Sequence, residues 1–281
     1  MVAIRKDYIN VYYRGGNILR VTDLHNGFYD AFFDKGYSTS DFQCPALPET
    51  IETQGSAKLW ADSFQTLKGI MDIYFSRISK LEREFQQLVA RENNFSSISN
   101  GSEYFISDIE FADSELGARF DLLALRWLAS QRKIATCRPA LLEMKYGDGA
   151  LSGNAGVLKH LQDINELMLN PAGYQALIEM MEMQFNQLDE LGLIQFNRAA
   201  NWTKIKIDAE IKPEVILIFA NHNPRSHQLR KIISSPEIEE YAHSEKFDLR
   251  FYVSSFAGYA LHAKSMLSLP EFRKLLKADT Q

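Results

Sequence analysis

The stretch that decides the fold runs from 119 to 147, RFDLLALRWLASQRKIATCRPALLEMKYG. Two apolar segments, Arg119 to about Leu128 and Pro139 to Tyr146, flank the polar SQRK at 130 to 133, the pattern of two strands joined by a hairpin turn. Asp121 and Glu143 are each eleven residues from Arg132. A symmetric hairpin therefore sets them directly opposite one another, with Cβ atoms roughly 5 Å apart. Side chains alternate along a strand, so Lys145 shares the face of Glu143 while Leu142 and Met144 point the other way. Arg119, Asp121, Glu143 and Lys145 form a charged cluster at one end of a face whose other end, Leu123, Leu125 and Leu141, is apolar. Two carboxylates held that close repel unless a cation lies between them, and oxygen ligands select a hard ion such as Mg²⁺ or Mn²⁺. A metal site is the expectation.

Working outward, Tyr104 to Phe111 reads as a strand before the hairpin. Before that, apolar residues recur at helical spacing from Lys58 to about Glu92, a long amphipathic helix, either continuous or broken near Gly69. After the hairpin come the turn GDGALSGNAG and an amphipathic helix carrying Val157, Leu158, Leu161, Ile164, Leu167 and Met168. A helical stretch from 173 to 192 and the apolar strand VILIFA at 215 to 220 follow. Helices are expected around 224 to 242 and 257 to 278, with a short strand LRFYV between them. Residues 7 to 54, cut by Gly15-Gly16, Gly27, Gly36, Pro45 and Pro48, suggest short strands or turns. No repeat is visible.

The segments FDLLAL and LLEMKYG, set in the order helix, strand, strand, strand, helix, strand, resemble the PD-(D/E)XK superfamily of restriction-endonuclease-like nucleases. The resemblance covers roughly residues 57 to 222, with specific motifs only between 121 and 145. It implies an α/β fold: a mixed β-sheet flanked by helices, with N- and C-terminal additions. The expected division is an N-terminal extension, 1 to 55, packed on a nuclease-like domain, 56 to 281. Asp121 matches the family's single acid on the second core strand, and Glu143 with Lys145 its acid-x-Lys pair on the third. The resemblance implies that Asp121, Glu143 and the Met144 carbonyl hold Mg²⁺ or Mn²⁺, and that Lys145 serves the attacking water. It also implies a hydrolase acting on phosphodiester bonds, of DNA rather than RNA, with a homodimer compatible. A catalytically inactive member of the same fold that binds nucleic acid or a protein is the alternative.

Other residues fall near this corner on paper. Glu110, in FISDIEFAD, points at the metal or away from it depending on a one-residue register. Some branches carry a Gln and a Tyr on the helix after the third strand; Gln162 stands at about that distance, but Glu166 occupies the Tyr position. If VILIFA runs parallel to the third strand, the segment ANHNPRSHQLRK, 220 to 231, ends beside Glu143. There Asn221, His222, Arg225 and His227 become candidates for phosphate contact, along with Arg119 and Asn154. A turn begun by Asn-Pro explains the segment equally well. Glu84 on the long helix reads as an extra acid or as an exposed helical Glu, and YYRGGN as a substrate loop or a Gly-Gly turn.

The 31 Lys and Arg against 36 Asp and Glu leave a formal charge of -5, so any polyanion site must be a local patch. Cys44 and Cys137 lack metal-ligand or disulfide-framework spacing, and no apolar run is long enough to span a bilayer. A cytoplasmic protein without a membrane partner is expected.

Overall fold

The computed structural model describes residues 1–132, 134–197, 204–223, 225–254 and 258–278. Lys133 of the expected hairpin turn, Pro224 of the Asn-Pro turn and Ala257 at the expected start of the last helix lie outside them. The chain divides into two units, Met1–Gln87 and Leu88–Gln281. The division thus falls inside the long helical region and not at 55/56.

In the first unit, β1 (Val2–Ile4), β2 (Tyr8–Tyr13), β3 (Gly16–Asp23), β4 (Tyr29–Phe32) and β5 (Thr50–Ile51) form an antiparallel sheet in chain order. Helix α1 (Gln54–Arg77) buries Trp60, Leu67, Ile70, Met71 and Phe75 against Ile18, Leu19, Ala31 and Phe33. The YYRGGN segment is the β2–β3 hairpin. Arg14 and Gly15 take φ of 45° and 74°, the left-handed pair that a two-residue hairpin turn requires. A Cβ on Gly16 would come within 2.8 Å of Met71 Cε and Phe75 Cζ, so the helix packs directly on bare backbone. Tyr13 and Arg14 both bond the Asp72 carboxylate, and Arg14 Nε lies 3.6 Å from Glu84. The polar groups of this turn therefore have partners within their own unit.

The helix does not break at Gly69, which lies mid-way along α1; it breaks between Arg77 and Leu81, where α2 (Leu81–Asn94) begins. The hairpin turn presses there, since a Cβ on Gly15 would lie 2.9 Å from both Cβ and O of Lys80. Tertiary contact, not the glycine's low helix propensity, decides the position.

The second unit is built on a mixed sheet of order β11-β10-β8-β7-β6, from β6 (Tyr104–Asp113), β7 (Ala118–Arg126), β8 (Thr136–Tyr146), β10 (Glu214–Ala220) and β11 (Asp248–Val253). The first three strands are antiparallel neighbours, while β10 runs parallel to both β8 and β11. The short β9 (Lys206–Ile207) pairs with the start of β8. Every residue of β10 is buried, as expected of a central parallel strand that reads as a continuous apolar run.

Helices α3 (Val157–Met168) and α4 (Pro171–Glu190) cover the face that carries Asp121 and Glu143. His160 of α3 meets Glu143, and Gln184 of α4 bonds Asp108, which pairs across the ladder with Leu123. The far end of the sheet is closed by Glu214, which accepts from Tyr104 at 2.6 Å, Arg126 at 2.7 Å and Arg138 at 3.1 Å.

Past β10, α5 (His227–Ile233) and α6 (Pro236–Ala242) replace the single expected helix, separated where Pro236 starts a new first turn. The last helix, α7, spans Leu269–Ala278 and not 257 to 278. A 3-10 turn at Ala263–Ser265 precedes it; Leu267 then exchanges backbone hydrogen bonds with Phe251 at 2.8 and 2.9 Å, just before Ser268 bonds Glu271 at the helix start.

Candidate active site

The register of β7 and β8 pairs Leu122 with Leu142 and Leu123 with Leu141. One step further the same register sets Asp121 opposite Glu143, so the hairpin is symmetric about Arg132. The regular pairing ends at that step. Asp121 Oδ2 instead accepts the backbone N–H of Met144 at 2.8 Å, the side chain standing in for a ladder carbonyl.

Lys145 and Glu143 share a face, with Nζ 3.6 Å from Oε2. Both are buried, at 2% and 0% exposure, and such burial of charge is costly unless it is compensated. Burial, followed by the charge of Glu143, pushes the Asp121 carboxyl up to about 7. Burial pushes Glu143 up as well, with Lys145 acting in the opposite direction. The two acids therefore lie close enough to contest one charge.

Neither oxygen of Glu143 receives a properly directed hydrogen bond. The Asp121 and Glu143 carboxyls lie near enough for each to act on the other's charge. A buried, donor-poor carboxylate beside a second acid suits a hard cation held by two protein carboxylates, with water and substrate oxygens completing its shell. The donor set fits Mg²⁺ or Mn²⁺ to that extent. Among the described residues, however, no three His, Cys, Asp or Glu side chains are grouped to hold an ion by themselves. Any cation must draw its remaining ligands from backbone, water or substrate.

Glu110 sits level with Asp121, between the pairs Ile109 with Leu122 and Phe111 with Phe120. Its φ of 50° is unusual for a non-glycine residue and marks local strain. It does not complete a three-carboxylate set with Asp121 and Glu143.

No family model, curated protein or solved structure matches the chain.

His160 was not anticipated. Its Nδ1 lies 2.9 Å from Glu143 Oε2, although the direction falls outside that of a good hydrogen bond. Burial, and then Lys145, hold the imidazole below the ordinary His range, and the charges of Asp121, Asp163 and Arg119 also act on it. The signal was present in the sequence, since position 160 lies three residues after Val157 and four before Ile164. It falls on the apolar stripe of α3.

Gln162 lies instead on the outer side of α3, where it donates to Glu166 at 2.9 Å. A helix turns about 100° per residue, so 160 and 162 cannot share a face. Arg119 is exposed at the start of β7, and Asn154 is exposed in the Gly-rich turn. At the end of β10, Ala220 pairs with Tyr146, and the following Asn221, at φ 47°, donates to the Tyr146 hydroxyl at 2.8 Å. His222 meets Phe219 edge-on at 6.2 Å, and Arg225 is exposed, its backbone N–H bonded to Asn223. These three residues flank the end of β8, two or more positions beyond Lys145. Ser152 ties the Gly-rich turn to α5 by accepting from Gln228 at 2.8 Å.

Proposed function

We propose that the chain is a divalent-metal-dependent nuclease built on a restriction-endonuclease-like core, hydrolysing phosphodiester bonds. The observation that carries this reading is the buried Glu143, poor in donors, opposed to Asp121 with Lys145 on the same face. The strand arrangement supports it: an antiparallel β6-β7-β8 followed, after α3 and α4, by β10 parallel to β8.

In this reading a bound Mg²⁺ or Mn²⁺ supplies positive charge at the scissile phosphate. Asp121 and Glu143 bind that charge, each tuned by the other. Lys145, fixed between β10 and the acids, orients the attacking water. Arg119, exposed at the rim, offers a bidentate donor to a phosphate oxygen, and Asn221 and Arg225 extend the contact along a backbone. The -5 formal charge makes such local donors necessary. DNA is the favoured substrate.

A non-catalytic binding role on the same core is the competing reading, favoured by the full burial of Lys145. The two are separated by incubating labelled single-stranded DNA, double-stranded DNA and RNA with the protein and Mn²⁺, with EDTA as control. Cleavage that requires the cation and is lost in folded Asp121→Ala, Glu143→Ala and Lys145→Ala variants supports the nuclease. Undiminished cleavage by Glu143→Ala refutes it.

A further inference from the structure

The two oxygens of Glu143 have unequal surroundings. Oε2 faces two nitrogens, Lys145 Nζ at 3.6 Å and His160 Nδ1 at 2.9 Å. These ion-pair contacts fall on Oε2, and neither oxygen accepts a well-directed hydrogen bond, although the residue is 0% exposed. Lys145 comes from the same strand as Glu143, whereas His160 reaches it from α3. It is anchored there by the buried Val157, Leu161 and Ile164 on the same stripe and by its backbone N–H on the Gly156 carbonyl at 3.1 Å. An imidazole on a packed helix is a stiffer restraint than a lysine ammonium on four rotatable bonds.

We infer that His160 is a positioning residue: its Nδ1 fixes Glu143 through Oε2 and leaves Oε1 open to a cation shared with Asp121. This rests on the proposed metal-dependent reading and names a further residue on which that site depends. Groups that orient a ligating side chain commonly change metal affinity by about 10- to 100-fold when removed.

The test is calorimetric titration of the full chain with MnCl₂. His160→Ala should weaken Mn²⁺ binding by at least about 10-fold with thermal stability close to wild type. His160→Asn, whose amide nitrogen occupies nearly the place of Nδ1, should recover most of it. His160→Gln, whose amide nitrogen lies nearer the place of Nε2, should not. A packing role alone would affect the Asn variant as much as the Ala variant, and that result overturns the inference. Wild-type affinity in His160→Ala, with binding abolished in Glu143→Ala, also overturns it and leaves the metal site standing. Absence of Mn²⁺ binding by the wild-type chain removes the nuclease reading and this inference together.

Discussion

Replacing Asp121 by Asn should make the protein in EDTA more stable while abolishing the proposed metal-dependent cleavage. The substitution retains a carbonyl oxygen to accept the Met144 N–H, now made at 2.8 Å, and removes the charge that opposes Glu143. A carboxyl moved from 3.8 to about 7 carries about 4 kcal/mol at about 1.4 kcal/mol per pH unit. Solvent screening at the partly exposed Asp121 brings this to about 2 kcal/mol. The unfolded chain releases this proton near pH 3.8 and the folded chain only near 7. Wild type therefore loses stability as pH rises through that window. The variant's advantage should be absent near about pH 4 and complete by about pH 8, where it corresponds to roughly 4–8 °C in Tm. Thermal denaturation in EDTA across this range reads it directly. Added Mn²⁺ should raise the Tm of wild type more than that of the variant. An Asp121→Asn protein that melts below wild type in EDTA at about pH 8 would refute the reasoning.

Glu143→Gln leaves the 2% exposed Lys145 without the carboxylate at 3.6 Å, a loss that opposes the relief of a carboxyl pushed by burial up to about 7; its urea midpoint should therefore fall below that of Asp121→Asn. Glu214→Gln removes the charge that Arg126 and Arg138 approach at 2.7 and 3.1 Å and should cost about 3 kcal/mol, read as a lowered urea midpoint. Gly16→Ala places a methyl within 2.8 Å of Met71 and Phe75; a loss of about 1–3 kcal/mol should appear as faster limited proteolysis within Met1–Gln87.

Much of the second unit was legible because its strands are apolar runs and its turn is polar. The 121-to-143 register followed from counting to Arg132, and VILIFA could be read as a parallel strand from its unbroken apolarity. What failed to show depends on contacts distant in sequence. The break after Arg77 is set by a hairpin turn more than sixty residues earlier, and no Pro or Gly marks it. The late start of α7 follows from the bridge of Leu267 to Phe251, which helical periodicity alone cannot reveal. At the site, the placement of Asp121 opposite Glu143, with Lys145 on the same face, could be anticipated from alternation. His160 was hidden because an apolar stripe draws attention to its Leu and Ile. The twist that lifts Glu110 out of regular pairing, at φ 50°, leaves no trace in residue type.

The central claim is that Asp121 and Glu143 are held opposite one another to share a cation. Crystals soaked in MnCl₂ and measured at the manganese absorption edge test it most directly. The account predicts one anomalous peak within about 2.0–2.6 Å of an oxygen from each carboxylate. Mn²⁺ bound elsewhere, with the two carboxyls left bridged by a proton, would contradict it.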